Sequence, residues 1–304
     1  MIVGIIVLLI ILLALAILNN KKNMYLSDFT PLVYSTNIDK NIYNIGASYA
    51  SKQKVVICGL ARDIAKNIDR LKVVLERLGS YFLQYKIIIV ENDSNDESRP
   101  MLLEWSKQNP NVIILGCGVN VKECKLSLKS YSSFDAGANR IGKMAYLRNI
   151  YLNYIKTYLS QYDYTIVMDI DILGSCYLDG IMNSFYHFSL NDTIDALGAN
   201  GIDMLGRYYD PFALVELGKS LEYKTMEEKV AHDVYVASTY NMKLGDPLFK
   251  VRSCFAGLVI YRTRSVLNRS YSYSNKNFAC EHVFFNDGLN IYINPSMIFS
   301  IIFH

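Results

Sequence analysis

Four short runs in this sequence leave little choice of architecture. Lys54–Leu60 (KVVICGL), Lys86–Val90 (KIIIV), Val112–Leu115 (VIIL) and Tyr164–Met168 (YTIVM) are nearly continuous in apolar, mostly β-branched residues. A strand with one wet face alternates apolar and polar side chains, whereas a strand covered on both faces does not. The intervening segments carry a helical period instead. Ile64, Ile68, Leu71, Leu75, Leu78 and Phe82 recur at steps of four and three, with Asp63 placed as an N-cap. Pro100–Gln108 reads as a second helix. Asn139–Ser160 reads as a third, with Met144, Leu147, Tyr151, Tyr154 and Tyr158 as its stripe. Strands of this kind alternating with helices predict a doubly wound α/β domain.

The residues that end three of these runs are polar or acidic: Ala61-Arg62-Asp63, Glu91-Asn92-Asp93-Ser94-Asn95-Asp96 and Asp169-Ile170-Asp171. In open α/β sheets the ligand crevice lies at the carboxyl ends of the strands. Two carboxylates spaced as Asp169 and Asp171 repel each other unless a cation joins them. Mg²⁺ or Mn²⁺ takes such oxygens and completes its shell with phosphate and water, which suits a departing diphosphate. Glu91, Asp93 and Ser94 can hydrogen-bond a base or ribose, or cap the following helix. Arg148 can pair with phosphate or with one of these carboxylates. Further along, Cys280-Glu281-His282 offers a third metal ligand in His282, with His304 as its rival, and a carboxylate facing an acceptor in Glu281. Tyr208-Tyr209-Asp210 and the stretch from Phe255 to Leu258 supply the aromatic and acidic groups that suit a sugar.

The rest of the second half is less regular. Asp195–Ala199, Ser253–Tyr261 and Ile291–Ile293 read as strands, and 271–280 as a loop. None of the six cysteines falls in a CxxC pair, so a zinc knuckle is not expected. The net charge of +3 comes without a basic stripe, so nucleic acid is not an expected partner. From Ile2 to Leu18 no side chain is polar. A membrane-spanning helix needs about 17–25 apolar residues, and nothing basic precedes this run as it would in a cleaved leader. The expected organisation is a transmembrane anchor at 1–20, a polar stem at 21–53 and a catalytic domain at 54–304. Lys21 and Lys22 follow the span and favour a cytoplasmic chain by the positive-inside tendency, the reverse of Golgi-type enzymes; both orientations stay open.

In order, LARD (Leu60–Asp63), ENDSND (Glu91–Asp96), LRN (Leu147–Asn149), DID (Asp169–Asp171), YYD (Tyr208–Asp210) and CEH (Cys280–His282) resemble the motifs of GT-A glycosyltransferases. The nearest resemblance, over roughly residues 54–300, is to fungal capsule-type α-1,3-mannosyltransferases and Anp1-like Golgi mannosyltransferases. It implies a GT-A domain, a Rossmann-like nucleotide-diphospho-sugar transferase fold, behind an N-terminal transmembrane helix, in a single-pass protein of Golgi/ER or viral type. It also implies a nucleotide-diphosphate sugar donor, with GDP-mannose favoured and a UDP-sugar open, and a glycan or other hydroxyl acceptor. By position, Asp171 would touch Mn²⁺ or Mg²⁺, and Asp169 would hold ribose or metal. Arg62, Glu91, Asp93 and Ser94 would line the nucleotide pocket, with Arg148 behind them. Glu281 and Asp210 would act at the acceptor, and His282 would complete the metal shell.

Two other enzymes use related features. A haloacid-dehalogenase-type phosphatase would place its DxD strand first and Thr or Val two residues on, where Leu173 stands here. A nucleotidyltransferase would follow its first strand with a Gly-rich basic loop, which LARD is not. A non-catalytic, membrane-tethered glycan-binding module is the third alternative. The anchor reading has a direct test: after alkaline carbonate extraction the full chain should stay with membranes, and a chain lacking residues 1–20 should be released.

Overall fold

The computed structural model describes residues 24–27, 39–120, 138–171, 173–203, 205–274 and 276–303. Ile2–Leu18 and His304 lie outside the described residues. Within them, no helix is long and apolar enough to cross a membrane.

The first half alternates as expected: β1 (Met24–Ser27), α1 (Lys40–Ala50), β2 (Lys54–Ala61), α2 (Ile68–Gly79), β3 (Gln84–Asn92), α3 (Ser98–Gln108), β4 (Val112–Cys117), α4 (Ala138–Tyr158) and β5 (Tyr164–Met168). Strands β4, β3, β2 and β5 lie side by side and parallel. Their alternate residues serve two cores. Val55, Ile57, Ile87, Ile89 and Ile166 pack against Leu71 and Leu75 of α2 and Trp105 of α3. Val56, Cys58, Ile88, Val90 and Val167 face Leu147, Tyr151 and Ile155 of α4. Because successive strand side chains point to opposite faces, a strand covered on both sides must be apolar throughout.

The second half extends this sheet with mixed directions. It comprises β6 (Leu173–Tyr177), α5 (Leu178–Leu190), β7 (Ala196–Ile202), α6 (Met226–Thr239), β8 (Phe249–Val251), β9 (Leu258–Arg262), the short α7 (Thr263–Val266), α8 (Glu281–Asn286) and β10 (Ile291–Phe303). The strand order is β1-β6-β10-β7-β9-β5-β2-β3-β4, with β8 paired to β10. Strand β9 runs antiparallel between β5 and β7. After β4 the chain crosses over through α4 and returns as β5 on the far side of β2. The direction of strand addition therefore reverses between β2 and β5, which opens a crevice at their carboxyl ends.

Several elements depart from the sequence expectation. The helix begins at Ile68 rather than after Asp63, because 65–67 form a 3₁₀ turn and Asp63 takes a left-handed backbone (φ 52°). Tyr158, placed on the buried stripe of α4, is 62% exposed, whereas Arg148 is buried. Helices α5 and α6 carry no signal recognised in the sequence. Ile291–Ile293 opens a strand that runs on past Pro295, with a register shift between Asn294 and Ile298 that accommodates the proline. The segment 21–53, expected as a stem, contains α1, which packs on α5: a Cβ on Gly46 would lie 1.9 Å from the carbonyl oxygen of Met182. Gly46→Val should therefore destabilise the domain by roughly 1–3 kcal/mol in urea unfolding. An unchanged midpoint would mean that α1 does not dock.

Candidate active site

The carboxyl ends of β2, β3 and β5 converge as their positions predict, and α8 adds residues from the second half. A cavity of about 140 Å³ opens there, walled by Leu60, Asp169, Asp171, Asp210, Glu281 and His282 among others, with Arg140, Met144 and Arg148 presented by α4. Four carboxyl groups meet two guanidinium groups around this space.

Arg148 holds the centre together. It is 3% exposed, donates from Nε to Oε1 of Glu281 at 2.9 Å, and has Nη2 3.8 Å from Oδ1 of Asp169. Its guanidinium lies over the rings of Phe255 and Tyr271 at 5.1 and 5.9 Å. The neighbouring residue fixes this arrangement. Asn149 exchanges two hydrogen bonds with the backbone of Tyr271: its Nδ2 donates to the carbonyl at 2.8 Å, and its Oδ1 accepts from the amide at 2.9 Å. Nη1 of Arg148 is buried without a partner, a donor left over at the wall of an acidic cavity.

Both Asp169 and Asp210 have carboxyls held above the usual range. For Asp169 the cause is first burial, which the Arg148 charge opposes and the charges of Asp171, Asp210 and Glu281 reinforce. For Asp210 burial dominates, the amides of Ala256 and Ala213 oppose it and Glu281 adds to it, with the result about 7. Asp210 sits in a left-handed conformation (φ 65°), and its Oδ2 accepts from the Ala256 amide at 3.3 Å. Ala256 is also left-handed (φ 51°). The carbonyl of the following Gly257 (φ 86°) accepts the Asp169 amide at 2.9 Å. The non-glycine residues with positive φ among the described residues are Asp63, Asp93, Asp210 and Ala256, and all four lie on this rim. Such conformations cost about 1–3 kcal/mol each and persist where the surroundings over-determine them.

The nucleotide side differs from expectation in detail. Glu91 is fully buried and does not face the crevice. It accepts from Nε of Arg99 at 2.6 Å and from the Ser94 amide at 2.8 Å. Ser94 Oγ in turn accepts from the Asp63 amide at 3.0 Å, and Asp63 Oδ1 accepts from the Asn95 amide at 2.6 Å. These bonds tie the β2 and β3 loops into one unit, with Glu91 and Ser94 as braces within it. Arg62 and Asp93 remain partly exposed, and Nε of Arg62 has no hydrogen-bond partner. Between them lies Lys143 of α4, which the sequence reading missed. Burial and the Arg62 charge lower its pKa, while Asp93 raises it. It lies five residues before Arg148 and about 140° round the helix from it, so helical spacing gives no signal for it.

His282 does line the cavity, yet its ring is clamped. It stacks on Phe255 at 4.0 Å and meets Tyr271 edge-on at 5.4 Å. Burial and the Arg148 charge hold it well below the ordinary histidine range, so it is neutral, and neither ring nitrogen has a hydrogen-bond partner. Among the described residues no three His, Cys, Asp or Glu side chains converge as a metal cluster, so His282 is not assembled with Asp169 and Asp171 into the expected three-ligand shell. Tyr208 is core and Tyr209 lines the cavity.

No protein-family model matches the chain, and no curated protein matches it. Among solved structures, S. aureus TarS 1–349 in complex with UDP is 13% identical, with a TM-score of 0.44 over 82% of this chain and 60% of that one. The same fragment with UDP-GlcNAc gives 12% and 0.44. GalNAc-T7 with UDP, GalNAc and Mn²⁺ also gives 12% and 0.44, over 83% of this chain and 44% of that one. This chain spans about 60% of the TarS fragment's length. Likeness at this level leaves the activity to be argued from this chain's own residues.

Removing Arg148 should strand Glu281 as a buried, unpaired charge. Arg148→Met is expected to destabilise the protein by about 3–5 kcal/mol in denaturant unfolding. An equal loss for Arg148→Lys would show that the planar fork, rather than the charge alone, is required.

Proposed function

We propose that this chain is a metal-dependent glycosyltransferase of the GT-A type. It would move a sugar from a nucleotide-diphosphate donor to a hydroxyl of a glycan. The observation that carries this reading is the placement of Asp169 and Asp171 at the reversal point of the sheet, in a cavity whose carboxylates outnumber its guanidinium groups. The donor set fits Mg²⁺ or Mn²⁺: two oxygen ligands, no thiolate, and room for phosphate oxygens to complete the shell. When bound, that ion would offset charge on the departing diphosphate.

The residues divide the remaining work. Arg62 and Lys143 stand at the β2–β3 side, where a nucleotide diphosphate would enter, and supply positive charge to it. Arg148 orients Asp169 and Glu281, and is a positioning residue. Asp210 is placed to receive the proton of the acceptor hydroxyl as that oxygen bonds to the anomeric carbon and the bond from carbon to diphosphate oxygen breaks. GDP-mannose is the donor favoured by the motif resemblance, with a UDP-sugar as its competitor. The apolar run Ile2–Leu18 would tether the domain to a membrane.

Asp171→Ala should lower Mn²⁺-dependent hydrolysis of GDP- or UDP-sugars by about 100-fold, and undiminished turnover overturns the reading. The base has its own signature. Asp210 can accept a proton only as the carboxylate, so transfer should climb as pH rises through about 7. Asp210→Asn should flatten that limb of the kcat/KM profile.

A further inference from the structure

A second cavity, larger than the first at about 410 Å³, lies between α6 and the segment 215–223. We infer that it is a binding subsite for an uncharged, hydroxyl-rich saccharide, the part of the acceptor remote from the reacting hydroxyl. This rests on the transferase reading above for its role, though not for the binding itself.

Three observations support the assignment. The first is continuity. The chain leaves the catalytic cavity at Asp210 and Phe212 and reaches this cavity at Val215, where Val215 pairs with Ser253, two residues before Phe255. Tyr223 pairs with Phe278, two residues before Cys280 on the catalytic wall. Both bridges tie a wall segment of one cavity to a wall segment of the other.

The second is the lining. Tyr223, His232 and Tyr235 present ring surfaces, and the Tyr223 and His232 rings lie 5.1 Å apart. Ring faces of this kind cover the CH-rich faces of pyranoses while hydroxyls bond to nearby acceptors. Glu216, Glu222 and Glu228 supply those acceptors. The bonds they already make use one oxygen of each: Glu216 Oε1 accepts from Tyr235 and Tyr240, Glu222 Oε2 from Asn277, and Glu228 Oε2 from the Lys224 amide. Nδ1 of His232 is buried without a partner.

The third is charge. Three carboxylates face one ammonium, Lys219, and burial lowers the pKa of His232 so that it adds no positive charge. A nucleotide diphosphate or an acidic sugar is repelled here, and a neutral glycan is not.

Saccharide binding can be read without catalysis, by saturation-transfer NMR on the full chain. The probes are the neutral trisaccharides of mannose, glucose and N-acetylglucosamine, with sialyllactose as the acidic control. At least one neutral trisaccharide should give a signal that falls fivefold or more in Tyr235→Ala and in His232→Ala, both with an unfolding temperature close to the parent, while sialyllactose gives none. Nucleotide-sugar hydrolysis should be unchanged in both variants. Absence of any neutral-sugar signal, a signal insensitive to both substitutions, or preference for sialyllactose overturns the subsite. Saccharide binding that survives alongside no detectable nucleotide-sugar turnover overturns the transferase reading and leaves the subsite standing.

Discussion

The buried guanidinium of Arg148 is the contact on which the rest of the site depends. It joins the end of β5, through Asp169, to the start of α8, through Glu281, and so couples the parallel half of the sheet to the mixed half. A buried ion pair is costly to assemble, because both charges leave water and their attraction must offset that loss. Here the offset is assisted by Phe255 and Tyr271, whose rings lie near the cation, and by Asn149, which clamps the Tyr271 backbone. The arrangement keeps negative charge concentrated at one wall of the cavity, where a divalent ion and a diphosphate could use it.

Around this centre the loops are rigid for reasons that can be named. The β2 and β3 loops exchange side-chain-to-backbone hydrogen bonds through Asp63, Ser94, Asp96 and Ser98, and buried Glu91 anchors them through Arg99. The left-handed residues Asp63, Asp93, Asp210 and Ala256 are held by these same networks or by the turn preceding β9. Such backbone is unfavourable in isolation, and its concentration on one rim marks where the fold spends stability on geometry.

The two cavities differ in a way that suits different ligands. The first is small, lined by four carboxylates and two arginines, and adjoins the cationic pair Arg62 and Lys143. The second is wider, aromatic and net acidic with a single lysine. Both linings hold more carboxyl groups than cations, and what distinguishes the first is the adjoining cationic pair, which a phosphate-rich ligand would meet there.

The sequence by itself determined the parallel core. KVVICGL, KIIIV, VIIL and YTIVM could only be strands covered on both faces, and their polar ends had to share one rim, because parallel strands all finish on the same edge. The position of Asp169 and Asp171 at that rim was legible on that basis, whereas the burial of Arg148 on α4 was not. What tertiary structure alone decided depends on contacts between residues far apart in sequence. Arg148 is paired because Glu281, 133 positions away in sequence, stands opposite it, and the His282 ring is held flat against Phe255. Helix α1 belongs to the domain because Gly46 lets it approach α5. Periodicity reports which face of an element is buried, and it carries no information about which distant side chain will stand opposite.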